Sequence, residues 1–364
     1  MSVTVVDGFV ASGLSFGIKP SGAPDLALVA TADHRPVTAA GVFTSNRMTA
    51  APVLVCRDHL SRTGGRAAAV VLNSGNANAA TGTAGLADAE KMCELTAETL
   101  GCSRDEVLVC STGWIGYPLP MDAVTAGISQ VASLLDPTGG LAAAEAIMTT
   151  DTVTKSTTVS GDGFVVGGIA KGAAMLEPNM ATMLAVLTTD ALVEPVTATR
   201  LLQGAVATSF NCLTVDGAES TNDTVLLLAS GLAGSTDPLA LSQALSTACR
   251  DLAIQMADDA EGSTKTVFLT VTGAATDAEA VRAARHTANC QRVKCSWYGE
   301  DPYWGRIAAQ MGAAGIAFDP DTITVDYGGQ TVYAAGKAQE IDPQALSAHM
   351  AGRQLSLTVD LGQG

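Results

Sequence analysis

The chain has 364 residues, 47% hydrophobic and 15% charged, enough for a large core divided between two lobes or domains. Its 36 acidic and 20 basic residues leave a net charge of −16 with no basic tract, which sets nucleic-acid binding aside and obliges any anionic substrate to find a local cation. No apolar run reaches membrane-spanning length and no secretory leader pattern opens the chain, so no membrane partner is expected, and the setting expected is cytoplasmic with reduced, buried thiols.

Taken in chain order, 67–72 reads as a strand running into Asn73-Ser74-Gly75-Asn76, and 85–100 as a helix with Leu86, Cys93, Ala97 and Leu100 on or near one face. A short strand, 107–110, ends in Ser111-Thr112-Gly113. Another, 164–169, leads into Lys171-Gly172, and the apolar run 183–187 reads as a buried strand. Pro195 suits the first turn of a helix over 196–210. The run 224–229 is a strongly apolar strand. The clearest helix is 237–257, where Leu241, Leu245, Ala248, Leu252 and Met256 recur at helical spacing after Asp237-Pro238. A strand at 266–271, a helix at 304–311, a hairpin of 322–327 with 331–335 across Gly328-Gly329, and a strand at 355–361 complete the series. Strands and helices interleave, so the expected fold class is α/β.

Only four histidines occur, and with the eight cysteines they form no zinc-ligand motif. No glycine fingerprint for a dinucleotide or a P-loop stands at a strand–helix junction. Neither a metal nor a cofactor is expected.

The segment Lys171-Gly172-Ala173-Ala174-Met175-Leu176-Glu177-Pro178-Asn179-Met180-Ala181-Thr182-Met183-Leu184 carries the chemistry. An internal threonine is a poor nucleophile, but one at a new N-terminus has its own α-amine as base. Small Ala181 precedes Thr182, Pro178-Asn179 signals a turn, and a strand follows. The segment resembles the autocleavage site of the ornithine acetyltransferase family, the glutamate N-acetyltransferases of arginine biosynthesis. The resemblance continues in order through Asn73 to Asn78, Ser111 to Gly116, Met148 to Thr152, Thr214 to Gly217, Ser220 to Asp223 and Gly299 to Arg306.

The resemblance implies a two-lobed, layered α/β fold. Thr182 would attack the Ala181 carbonyl, and an N-to-O acyl shift and hydrolysis would divide the chain into an α region, 1–181, and a β region, 182–364. Thr182, its amine titrating at about 8, would then take acetyl from N-acetylornithine and pass it to glutamate. Thr112 and Gly113 would form the oxyanion hole. Thr149, Lys171, Thr182 and Glu261 would bind substrate, Lys171 through a carboxylate and Glu261 through amino groups. Asn73 to Asn78, Asp216 and Asp301 to Arg306 would be scaffold, with Trp304 in the core. The motifs do not separate acetylornithine from acetyl-CoA as donor, and the family suggests a heterotetramer of two α and two β chains. Family members continue into an Asn-Ala-x-Tyr-Arg-Thr tail where this sequence ends at Gly364. On that ground a missing strand, an exposed edge at 355–361 and poor transfer with cleavage retained are expected. An autoprocessing amidohydrolase or aminopeptidase-like enzyme and a non-catalytic relic remain as alternatives.

Overall fold

The run Leu26-Ala27-Leu28-Val29-Ala30-Thr31 is buried at every position, as a strand covered on both faces must be. It belongs to a mixed α/β architecture, seen in a computed structural model that describes residues 2–177 and 183–363. The expected cleavage site, Ala181 and Thr182, lies outside the described residues.

The chain divides into two compact units, the first comprising residues 1–213 and 218–261 and the second 214–217 and 262–364. In chain order the first holds β1 (Phe9–Leu14), β2 (Leu26–Thr31), β3 (Val37–Phe43), α1 (Ala51–Arg62), β4 (Arg66–Ala67), β5 (Ala69–Asn76), α2 (Gly82–Leu100), β6 (Val107–Trp114), α3 (Met121–Ser133), α4 (Gly140–Ala146), β7 (Lys155–Ser160), β8 (Val165–Lys171), β9 (Leu184–Leu192), α5 (Pro195–Ala207), β10 (Thr224–Ser235) and α6 (Pro238–Asp258). Its strands form a four-stranded sheet, β1-β2-β5-β6, and a six-stranded sheet, β4-β3-β10-β9-β8-β7. Leu28 and Val70 of the first sheet share one apolar cluster with Ile169, Leu184, Val186 and Leu226 of the second. Helices α2, α3 and α4 lie against the four-stranded sheet, α5 and α6 against the six-stranded one. Asp237 caps α6 by accepting the Leu239 N–H at 3.1 Å, with Pro238 in the first turn. The five apolar residues expected at helical spacing on this helix are all buried.

The second unit holds β11 (Thr266–Thr272), α7 (Asp277–Ala288), α8 (Gln291–Tyr298), α9 (Trp304–Ala313), β12 (Thr324–Tyr327), β13 (Gln330–Ala334), β14 (Lys337–Ala338), α10 (Pro343–Ala351) and β15 (Gln354–Asp360). Its sheet runs β11-β15-β12-β13-β14. Here one expectation is corrected. β15 is an interior strand, parallel to β11 and antiparallel to β12. Leu355, Leu357 and Val359 alternate into the core, and backbone partners on both sides leave no exposed edge at this strand.

Three smaller corrections have the same kind of cause. Leu86 is exposed, because α2 buries the stripe through Ala89, Met92, Cys93, Thr96, Ala97 and Leu100. β6 does not stop at Cys110 but runs on to Trp114, held by parallel pairing with β5. Among the thiols, Cys212 and Cys295 are exposed, whereas Cys56, Cys93, Cys110 and Cys249 are buried. Trp304 is partly buried and stacks on Tyr333 with ring centroids 4.1 Å apart. No helix among the described residues is long and apolar enough to cross a membrane.

Candidate functional site

β5 and β6 run parallel and end together, pairing Ser74 with Thr112 and Gly75 with Gly113. The approach demands glycine on both strands. Gly113 has φ +135°, and a Cβ there would fall 2.3 Å from the Gly75 carbonyl carbon. Gly75 has φ +99° and Lys19 and Ile18 packed over it, so neither position accepts a side chain without strain. Side chains of the neighbouring block stiffen this end. Asn73 Nδ2 donates to Asn76 O at 2.9 Å, and Asn73 Oδ1 accepts from Ser111 Oγ at 2.6 Å. Asn222 Nδ2 donates to Ala77 O at 2.6 Å and Ser111 O at 2.9 Å, tying the start of β10 to the strand end that carries Thr112.

Lys171 closes β8 and is 2% exposed. Its Nζ donates to Thr112 Oγ1 at 3.2 Å and lies 4.0 Å from Asp151 Oδ2. Because Thr112 Oγ1 accepts this bond, its own hydrogen can serve another acceptor. Asp151 is the hub. Its Oδ1 accepts from Lys155 Nζ and from the Gly172 N–H, each at 2.7 Å, and its Oδ2 accepts from the Thr149 N–H at 2.9 Å. Lys155, fully buried, donates to Asp151, to Asp259 at 2.6 Å and to Val153 O at 3.3 Å. Asp259 in turn accepts from the Thr152 N–H at 2.9 Å and from the Thr152 hydroxyl.

The electrostatics follow. Burial works against ionisation of Asp151, but the charges of Lys171 and Lys155 and the bonds from Lys155 and Thr149 outweigh it, leaving the carboxyl at about 2. Burial lowers Lys171 below the usual lysine value, opposed chiefly by Asp151. Burial pushes Asp223 well above the carboxylate range, offset only partly by the Met183 N–H, Ser220 and Lys171.

Of Thr112, Gly113, Lys171 and Thr149, the structure joins Lys171 and Thr149 to the buried Asp151 carboxylate and Thr112 to Lys171, with Gly113 following Thr112 along β6. Glu261 joins through its backbone, donating its N–H to Ala173 O at 2.8 Å. Its side chain is exposed, and among the described residues its carboxylate makes no hydrogen bond or ion pair with those four. Thr182 and Ala181 lie outside the described residues. Met183, the next residue, gives its N–H to Asp223 Oδ1 at 3.0 Å. Sequence reasoning assigned no role to Asp151, Lys155, Asn222 or Asp223. Thr149-x-Asp151 with a lysine four residues on was the available signal for the first two. No group of histidine, cysteine, aspartate and glutamate among the described residues is arranged to hold a metal ion.

The ArgJ family model matches residues 10–364. The chain is 47% identical over 365 residues to the arginine biosynthesis bifunctional protein ArgJ of Streptomyces coelicolor, covering 100% of this chain and 94% of that protein. It is 48% identical over 373 residues to the protein of the same name from Mycolicibacterium paratuberculosis, covering 100% of this chain and 90% of the relative. Among solved structures, the ornithine acetyltransferase of Mycobacterium tuberculosis, complexed with ornithine, is 44% identical with a TM-score of 0.44, covering 49% of this chain and 94% of that one.

Proposed function

The chain belongs to the ArgJ family, acetyltransferases of arginine biosynthesis, and from that premise we propose that it moves acetyl from N-acetylornithine to glutamate through an ester on Thr182. In this reading the chain first cleaves itself between Ala181 and Thr182, giving the regions 1–181 and 182–364. The new α-amine of Thr182 takes the hydroxyl proton, and the hydroxyl attacks the acetyl carbonyl. Thr112, through its available hydroxyl hydrogen, and the Gly113 N–H stabilise the oxyanion. Preorganised donors of this kind usually lower the barrier to acyl transfer more than any other device. Lys171 pairs with the substrate carboxylate, Thr149 helps seat it, and Glu261 receives its amino group. Acetyl-CoA serves as a second donor, matching the word bifunctional in the relatives' name. The cleaved halves assemble as two α and two β chains in the cytoplasm.

One observation carries the reading: the 3.2 Å bond from Lys171 to Thr112. It sets a buried cation beside an oxyanion donor in a chain that is otherwise strongly acidic, as an acetyl-amino-acid substrate requires. Incubation with N-acetylornithine alone should add one acetyl to the first residue of the 182–364 fragment, and glutamate should remove it as N-acetylglutamate. Acetate released at the same rate without glutamate would favour an amidohydrolase. Absence of any labelling would sink the assignment of Thr182.

A further inference from the structure

Lys19 has no part in that reading, yet its side chain packs on the strand end opposite Gly113. Its Cγ lies 3.0 Å from where a Cβ on Gly75 would stand, and Gly75 pairs with Gly113 across β5 and β6. The loop between β1 and β2 that bears Lys19 is fixed by Asp25, which is 0% exposed. Asp25 Oδ1 accepts the Phe16 N–H at 2.8 Å, and its Oδ2 accepts the N–H groups of Ile18 at 2.7 Å and Lys19 at 3.0 Å. The Asp25 carbonyl in turn accepts the Ser74 N–H at 2.9 Å. A loop tied in this way to the end of β5 presents its lysine preorganised.

The ammonium of Lys19 has three protons to give. One goes to the Pro24 carbonyl at 2.6 Å, and the others have no acceptor among the described residues. Asp25 spends both its oxygens on backbone N–H groups instead. Burial lowers Lys19 below the usual lysine value, opposed by the charges of Asp25 and Asp151. Its own charge bears on Lys171, so the two lysines belong to one electrostatic neighbourhood. In a chain of net charge −16, two partly satisfied cations thus adjoin the paired ends of β5 and β6: Lys171 on Thr112, Lys19 on Gly75. Partly buried cations that repel one another call for anions. A single substrate carboxylate on Lys171 leaves Lys19 without one.

We propose that Lys19 binds the second carboxylate of the glutamate acceptor and so sets the preference for a dicarboxylate, an inference that rests on the acetyl-transfer reading above. Lys171 takes the carboxylate that glutamate and acetylornithine have in common. The side chain of acetylornithine ends in an ammonium, which gains nothing from Lys19. The side chain of glutamate ends in a carboxylate, which can accept the protons that Lys19 does not give to Pro24. Lys19 therefore attracts glutamate and repels the ammonium of the departing ornithine, and discrimination between the two comes from both effects.

The test measures acetyl transfer from N-acetylornithine by the full-length protein, with glutamate as acceptor and, separately, with glutamine, which has the same shape without the side-chain charge. Wild type should use glutamate with a kcat/KM at least about 10-fold above that for glutamine, the value of one hydrogen bond to a charged group. Lys19→Met keeps an unbranched stem over Gly75 and removes the charge. It should raise the KM for glutamate about 10–100-fold with kcat unchanged, the mark of lost binding and not of lost chemistry. Its use of glutamine, and its acetylation by acetylornithine, should stay at the wild-type level. A variant that loses glutamate and glutamine equally, or that is acetylated more slowly, shows a merely structural lysine and overturns the assignment while transfer to glutamate stands. So does a wild type that takes glutamine as readily as glutamate, a comparison that needs no variant to fold. A wild type that passes no acetyl to glutamate overturns the acetyl-transfer reading and this assignment with it.

Discussion

Lys155 and Lys171 are both buried lysines on neighbouring strands of one sheet, and both approach Asp151, yet their surroundings differ. Around Lys155 every proton has a protein acceptor: Asp151, Asp259 and the Val153 carbonyl. Around Lys171, among the described residues, one neutral hydroxyl accepts, and the carboxylate stands back at 4.0 Å. The first is a closed ionic knot. The second is a cation whose pairing among the described residues is incomplete. Burying a cation is strongly unfavourable unless it is paired, so the incomplete end is where an incoming carboxylate gains most. A saturated ion cluster thus lies beside a cation that, among the described residues, is only partly paired.

Several changes would break or sharpen this contrast. The largest effect is expected of Lys155→Met, which strips Asp151 and Asp259 of their shared partner. It should destabilise by about 3–5 kcal/mol, read as a drop in denaturant midpoint; a loss below about 1 kcal/mol would show the knot is not structural. Next comes Thr112→Val. With the hydroxyl gone, kcat should fall by about 10²–10³, as when an oxyanion donor is removed, with the fold unchanged. A change confined to KM would move Thr112 from the reacting centre to substrate binding. Lys171→Met should cost about 1.5–3 kcal/mol of binding to a carboxylate-bearing substrate, roughly 10–100-fold in KM, with an equal or higher Tm because an incompletely paired buried charge is removed. If Lys171→Met unfolds the protein as Lys155→Met does, the two lysines are equivalent and the contrast fails.

Acid titration is the gentlest probe. The Asp151 carboxyl is held at about 2, below its ordinary 3.8, so its contribution is fully present above pH ~4 and is lost as pH falls towards ~2. The contribution is on the order of 2 kcal/mol, and Asp151→Asn should flatten that part of the stability–pH curve. Asp223 bends the curve the other way, whereas Lys171 bends it in the same sense but around its own folded value rather than that of Asp151. A raised carboxyl stabilises most at low pH, and a lowered lysine loses its penalty only as pH climbs through its folded value. Neither can mimic the Asp151 loss.

The contrast also explains what the sequence made legible. Thr112, Gly113, Lys171 and Thr149 could be named because each sits in a short recognisable block, and helix α6 because its apolar residues repeat at one period. The pairing of Lys155 with Asp259 could not be read, since a partnership across 104 residues leaves no local trace. Asp223 looked like one polar residue among Ser220, Thr221 and Asn222. Only its burial and, among the described residues, an oxygen without a hydrogen-bond partner distinguish it. No element was read before residue 67, although β1, β2 and β3 lie there. Strands covered on both faces, such as β2, lack the alternation that marks a half-exposed strand. β15 does alternate, which made it readable as a strand, but its neighbours β11 and β12 are set by chain topology, which no local pattern encodes.

The order of the six-stranded sheet has a consequence should the chain be cut ahead of Met183. β9 and β10 both follow residue 182, and they are flanked by β8 on one side and β3 on the other. A cut before Met183 would therefore leave the downstream fragment wedged into a sheet whose outer strands belong to the upstream fragment. Separating the two would mean tearing two ladders at once, from Val166–Thr189 to Lys171–Leu184 and from Thr224–Phe43 to Ala229–Thr38. The halves of each molecule would stay partnered for its lifetime. Two variants mixed after maturation would not exchange fragments, whereas two produced together and cut afterwards would each keep the half they were born with.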